Sequence, residues 1–231
     1  MIPSELTPTD LERLAAEFCS PSGTVPTYYE RVHRKDGEIA ATNGRILIHI
    51  RHPLITPADG AHPPVFSLEP PSTPSLAGPE WIHGPLQSAV RPAMQAVRER
   101  LPGLQENFRL RTTSEMTRRI CPCCGQEMWG DDDGDLHDPD EFLSENEPDE
   151  ESTAGHILLR FASGNFASVS LYGLDLALHA ANILGGATAL RYDGTHLLSV
   201  EGDGWYVILS TVHRFVGDAA FDLAVPDPAT P

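Results

Sequence analysis

The sequence predicts an α+β fold in which a helix packs on an antiparallel meander, and three observations carry that prediction. A helix stands near each end of the chain. Leu11, Leu14, Ala15 and Phe18 form the apolar face of the first, and LDLALHAANIL is the second. Each helix is followed by short runs rich in apolar residues with the alternation of half-buried strands. Those runs are parted by Asp36-Gly37, Asn43-Gly44, Asp193-Gly194 and Asp203-Gly204, pairs that suit tight hairpin turns. The chain has 231 residues and 40% hydrophobic content, enough for one large domain or two small ones with a packed core.

The first helix begins at Thr7 as N-cap. Pro8 follows at the first helical position and Asp10 places a negative charge in the first turn; Ser20-Pro21-Ser22-Gly23 stops the helix. TYYERVHR, EIAAT and RILIHIRH then read as three strands. Residues 53–84 are rich in Pro, Gly and Ser and read as loop or linker, with one strand candidate at PPVFSL. A further helix falls within Leu86 to Leu101, with Val90, Met94, Val97 and Leu101 as its stripe. Pro92 suits a first turn, which puts the start near Arg91. FRLRTT is another strand candidate. Beyond residue 153, HILLRFASGNFASVSL reads as a hairpin, LDLALHAANIL as a helix closed by Gly185-Gly186, and ATALRYDG, HLLSVEGDG and WYVILSTV as strands. The tail from Ala219 reads as loose.

These elements divide the chain into a first half-unit (1–52), a linker with one helix and one strand or a degenerate half-unit (53–119), a Cys and acidic stretch (120–153), a second half-unit (154–216) and a flexible tail (217–231). Both half-units have one helix and about three antiparallel strands, a repeat of architecture without sequence identity.

Net charge is −17, but it is concentrated. Thirteen acids and no Lys or Arg lie between Glu127 and Glu151, leaving 20 acids against 16 bases elsewhere. The body is only mildly acidic, which argues against non-specific coating of DNA and leaves room for a local basic face. The acidic run reads as a solvated loop; an EF-hand register fails there, because Trp129 and Asp140 would take its first and last ligand positions. Cys121-Pro122-Cys123-Cys124-Gly125 contains the C-P-x-C-G of a zinc-knuckle half-site, whose turn aims two thiolates at one centre. A second such pair is missing, so Cys123, His137, Cys19, nearby carboxylates or a second copy would complete the zinc site. Without a metal, the cysteines are a degenerate knuckle. No run nears the ~18 apolar residues of a membrane span, and MIPSELTPTDLERL lacks a signal-peptide layout; we expect a cytoplasmic protein with no membrane partner.

The run LTPTDLERLAAEF…TYYERVHRKDGEIAATNGRILIHI resembles the bacterial DNA polymerase sliding clamp (beta subunit) family. There a helix and a strand pair lead into an A-T-D-G-H-R-L motif, and Ala41-Thr42-Asn43-Gly44-Arg45-Ile46-Leu47 stands in its place. The run VSLYGLDLALHAANILGG…ALRYDGTHLLSVEGDGWYVILSTV is similar to the family's last half-domain. Tyr206 to Val212 occupies the site of its Tyr-Val-x-Met-Pro-Met-Arg signature, with the Met-Pro-Met-Arg residues replaced. The resemblance covers residues 5–52 and 155–214. It implies a DNA-clamp-like, helix-on-sheet domain interrupted by a long Pro-rich and Cys/acidic insertion.

It also implies a groove for short peptides of replication or repair proteins, lined by Thr42, Gly44, Arg45, Leu47, Leu209 and Thr211. Taken alone, Asn43-Gly44 suits a plain type I′ hairpin, with Arg45 as an edge-strand charge. Rings of the family present helices to double-stranded DNA. Arg91, Gln95 and Arg98 share one side of the middle helix and are the DNA-facing candidates, whereas Asp175, His179 and Asn182 give the last helix a face that is not basic. No G-x-S-x-G, phosphate-binding glycine loop or H-E-x-x-H is present. We expect a non-enzymatic scaffold with no catalytic residues that assembles as a homo-oligomer around DNA; the alternative is a zinc-knuckle interaction or regulatory module on an α+β body.

Overall fold

The structure is a computed structural model that describes residues 2–20, 27–53, 55, 64–100, 117–120, 127–130, 136–137, 155–161, 166–212 and 221–226. It is a mixed α+β molecule with a large mixed sheet and a few helices.

Helix α1 spans Pro8–Ala16. Thr7 caps it as its sequence predicts: Asp10 N–H donates to Thr7 Oγ1 at 3.3 Å, and Thr7 N–H donates back to the Asp10 carboxylate at 3.0 Å. This reciprocal box satisfies two donors that a helix start leaves open. Leu11, Leu14, Ala15 and Phe18 are buried. Strands β1 (His33–Lys35), β2 (Glu38–Thr42) and β3 (Ile46–Arg51) form the first meander. TYYERVHR is only partly a strand, because Thr27–Glu30 winds as a 3-10 turn before β1. PPVFSL likewise is not a strand: Pro64–Ser67 is a 3-10 turn.

The middle helix begins well before Arg91. A short turn, α2 (Pro79–Trp81), runs through a π-wound turn at Ile82–Leu86 into α3 (Gln87–Arg100). Two prolines sit inside this run, Pro85 in the π turn and Pro92 in α3. Each removes a backbone donor. Burial of Ile82, Leu86, Val90, Ala93 and Met94 outweighs that loss, and Pro92 itself stands on the exposed side of the helix.

After β7 (His156–Arg160) and β8 (Phe166–Ser170), helix α4 (Leu171–Ile183) starts under the Ser170 side chain and ends at Gly185 and Gly186. Both glycines have positive φ, and Gly186 N–H donates to the Ala181 carbonyl at 2.8 Å, closing the helix end. Strands β9 (Ala189–Tyr192), β10 (Leu197–Gly202) and β11 (Trp205–Val212) form the second meander. The tail contributes β12 (Phe221–Ala224), which pairs in parallel with β7. The expectation of a loose tail from Ala219 therefore fails over this strand.

The two meanders share one sheet because their last strands pair. β3 lies antiparallel to β11, from Trp205 opposite Ile50 to Leu209 opposite Ile46. The order β1-β2-β3-β11-β10-β9 places the two three-stranded units back to back about this seam. Beyond the seam β11 pairs with β8 at Thr211 and Val212, which brings in β7 and β12.

Strand alternation then separates two faces. Ile46, Ile48, Ile50, Trp205, Val207 and Leu209 enter the main core with α1, α3 and α4. Ala40, Leu47, Tyr206 and Ile208 form a second, smaller cluster on the opposite, outer face. A separate sheet joins β4 (Thr117–Ile120), β5 (Glu127–Gly130) and β6 (Leu136–His137). The FRLRTT strand candidate lies outside the described residues.

A β-carbon on Gly202 would fall 2.2 Å from Trp205 Nε1, with more of the indole within 2.6 Å. Gly202→Ala should lower stability by about 1–3 kcal/mol, an overpacking cost, seen as a reduced urea midpoint. An unchanged midpoint would show that the β10–β11 turn does not depend on this close approach.

Candidate functional site

The conspicuous turn at Thr42 to Leu47 owes its sequence first to its own hydrogen bonds. Thr42 Oγ1 donates to the Ile46 carbonyl at 2.8 Å and accepts from Gly44 N–H at 3.0 Å. Asn43 Oδ1 accepts from the backbone N–H groups of Arg45 and Ile46, each at 3.0 Å. Gly44 has φ +88°, and a β-carbon there would press on the Tyr29 ring at 3.2 Å. Asn43 does not take positive φ, so the turn is not the type I′ hairpin that Asn-Gly predicts. Asn43 instead caps a loop whose left-handed residue is Gly44.

The six residues expected to line a peptide groove come to one corner of the sheet but do not share a surface. The Arg45 carbonyl accepts from Ser210 N–H at 2.9 Å, which holds the turn against β11. Arg45 is exposed. Leu47 lies in the outer cluster, while Leu209 lies in the helix-covered core on the opposite face, near the position a Gly173 β-carbon would take. Thr42 and Thr211 are buried, and Thr211 Oγ1 donates to the Thr195 carbonyl at 3.3 Å. Leu47 and Leu209 thus take opposite faces of the sheet, because their places on adjacent strands differ by one residue in register.

The outer face carries a buried histidine that no sequence motif singles out. His49 is 1% exposed and stacks on Tyr206, ring centroids 4.8 Å apart. Phe66 meets the His49 ring edge-on at 6.1 Å. The His49 Nε2 lies 3.5 Å from a Glu38 oxygen, and neither ring nitrogen makes a well-formed hydrogen bond. Burial holds the His49 imidazole below its ordinary value, opposed by the Glu38 carboxylate. Burial also pushes the Tyr206 phenol up to about 12. Arg51 and Lys35 lie 3.4 Å and 4.0 Å from Glu38. The one available signal was alternation in RILIHIRH, which places Leu47, His49 and Arg51 on a common face.

A strap from the Pro-rich segment crosses this face. Phe66 packs on the outer cluster, and Tyr206 O–H donates to the Leu68 carbonyl at 2.7 Å. Further along, Thr73 Oγ1 donates to the Tyr192 carbonyl, Arg191 donates to the Thr73 carbonyl, and the backbone at Leu76 and Ala77 bonds to Leu190. The expected linker is therefore sheet-bound over this length.

Of the DNA-facing candidates, Arg91 and Gln95 are exposed on α3, and Arg98 lies where only the helix backbone is described. With the Gln87 amide oriented to satisfy its neighbours, Arg91 donates to its oxygen at 2.8 Å and Asn182 of α4 donates at 3.0 Å. On α4, His179 lies 3.8 Å from Glu17. The described helix surface is thus of mixed charge rather than a basic stripe.

Cys121, Cys123 and Cys124 lie outside the described residues. His137 is placed by its backbone alone, on β6 opposite Trp129. Among the described residues no group of three or more His, Cys, Asp or Glu is arranged to hold a metal ion, and no helix is long and apolar enough to cross a membrane. No family model, curated protein or solved structure matches the chain.

Because the native state holds His49 neutral, the unfolded chain takes up more protons than the native one between the lowered pKa and about 6.5. Stability from this group should be complete above about pH 6.5 and decline as pH falls through it. Urea midpoints at pH 7.5 and 5.5 should differ less in His49→Phe than in the wild type. Equal acid losses in both chains would exclude His49 as the source.

Proposed function

We propose that the chain is a non-enzymatic, sliding-clamp-like scaffold that binds peptide segments of replication or repair proteins and assembles as a homo-oligomer around double-stranded DNA. The observation that supports it best is the β3–β11 seam, which joins the two helix-and-meander units resembling the clamp family into one sheet with α1 and α4 on the same side. In this reading residues 53–153 are an insertion between the halves of one clamp-like domain. The mixed charge of the described helix surface means that any hold on DNA is topological more than electrostatic, since few phosphates would be neutralised.

Light scattering near physiological salt tests the assembly. A discrete trimer or hexamer, retained on circular DNA and released when the circle is cut, is the expected result. A monomer that shows no such retention would end the ring. The scaffold part has its own test: Arg45, exposed at the turn, should weaken binding of a captured replication or repair peptide when changed to Ala.

A second reading is favoured by the small sheet. Strand β4 ends at Ile120 and β5 resumes at Glu127 in direct register, so the hairpin's connection carries Cys121, Cys123 and Cys124. A C-P-x-C-G sequence between two antiparallel strands suits a structural zinc site. Elemental analysis of chelator-free protein should find close to one zinc per chain. Absence of zinc, together with four titratable free thiols, would remove this reading.

A further inference from the structure

We propose that the outer-face pocket of Ala40, Leu47, Tyr206 and Ile208 binds an aromatic peptide segment carrying an acidic residue shortly after the ring, and that the chain's own strap occupies this pocket in cis. This deepens the peptide-binding reading above and rests on it. The pocket is built by alternation on the seam strands and lies opposite the helix-covered core. Its occupant in the structure is Phe66, which packs against this cluster and presents its face to Lys35, whose ammonium is 6.0 Å from the ring centroid.

The strap meets the pocket as a peptide ligand would. It enters as a single 3-10 turn, Pro64–Ser67, and forms no strand pairing at this point. Recognition uses three features that are close together in sequence. The Phe66 ring fills the pocket, and the Leu68 carbonyl accepts from Tyr206 O–H. Glu69, exposed, follows Leu68 directly, and the rim carries the cations Lys35 and Arg51, both also paired with Glu38. The Leu68 side chain is 50% exposed, the one large hydrophobic so exposed among the described residues, and so contributes little to the fold. Any peptide with Phe-x-x-Glu spacing can supply the same three features, and the Lys35 and Arg51 charges favour an acidic one.

The strap also separates into a fixed part and a part that can leave. Thr73, Ser75, Leu76 and Ala77 are hydrogen-bonded at the β9 edge and within the strap. Phe66 to Leu68 can therefore lift from the pocket without breaking those bonds. A tethered occupant competes at a high effective concentration, so an outside peptide binds the intact chain weakly and binds strongly once the ring is removed.

Fluorescence polarisation with a labelled synthetic peptide, Pro-Val-Phe-Ser-Leu-Glu-Pro, tests this on the full chain. Phe66→Ala should bind the peptide ~10-fold or more tighter than wild type. Replacing Phe by Ala in the peptide should abolish binding, and adding Tyr206→Phe to the chain should weaken it several-fold. A folded Phe66→Ala chain that binds no better than wild type would overturn the proposal. Should that variant not fold, the wild-type chain gives the reading. Saturating amide shifts at Leu47 and Ile208 with millimolar peptide support the pocket, and their absence overturns it. A wild-type dimer that falls apart on Phe66→Ala would also overturn it, in favour of straps exchanged between two copies. Because the probe is the chain's own sequence, a negative result leaves the ring and DNA tests standing, and loss of the ring leaves the pocket testable.

Discussion

The antiparallel pairing of β3 with β11 is the constraint on which the rest of the molecule depends. The two strands come from opposite ends of the chain, so closing this seam costs the entropy of a very long loop. The return is burial on both faces at once. Ile46, Ile48 and Ile50 meet Trp205, Val207 and Leu209 beneath the helices, while Leu47 and His49 meet Ile208 and Tyr206 on the outer face. A shift of one residue would carry the isoleucines to the outer face and His49 into the main core, and the double burial makes that register costly to leave.

The helix layer is fitted to this sheet by local irregularities. Pro85 sits in a π-wound turn that positions His83, whose Nε2 accepts from Ala187 N–H at 2.9 Å. That bond uses the Nε2 lone pair as its acceptor. It ties the start of the middle helix to the glycine turn after α4, and a β-carbon on Gly186 would come within 3.3 Å of the same nitrogen. The helix break and the glycine pair, far apart in sequence, are thus two halves of one contact.

The outer face follows a different rule. Its apolar cluster is small and is ringed by charged and titratable groups: Glu38, Arg51 and Lys35 on one side, Arg191 and Glu201 on the other. Ser199, fully buried, donates to Glu201 at 2.6 Å. A face with this composition needs a cover that supplies both an apolar group and hydrogen-bond acceptors, and the strap brings Phe66 and the carbonyls of Leu68 and Thr73. The same balance is what a peptide-binding surface requires, with an apolar anchor at the centre and polar groups at the rim.

The elements of both half-units were legible in the sequence because their signals are local. The Thr7 cap, the stripe of Leu11, Leu14, Ala15 and Phe18, the Asp/Asn-Gly turns and the Gly185-Gly186 stop each act within a few residues. Pro92 misled the reading of the middle helix, since a proline's local cost was overridden by burial of Val90, Ala93 and Met94. PPVFSL looked like a strand and β12 like a loose tail because their conformations depend on distant partners, the outer cluster and β7. The candidate groove was the least legible part. Leu47 and Leu209 look equivalent in their motifs, but side-chain direction across a seam is set by register, which neither strand carries alone. By itself, then, the sequence determined the helices, the turns and the alternation of each strand. The tertiary structure alone decided which strands meet, which face each residue takes and what covers it, because pairing energy and burial are shared between segments that only the fold brings together.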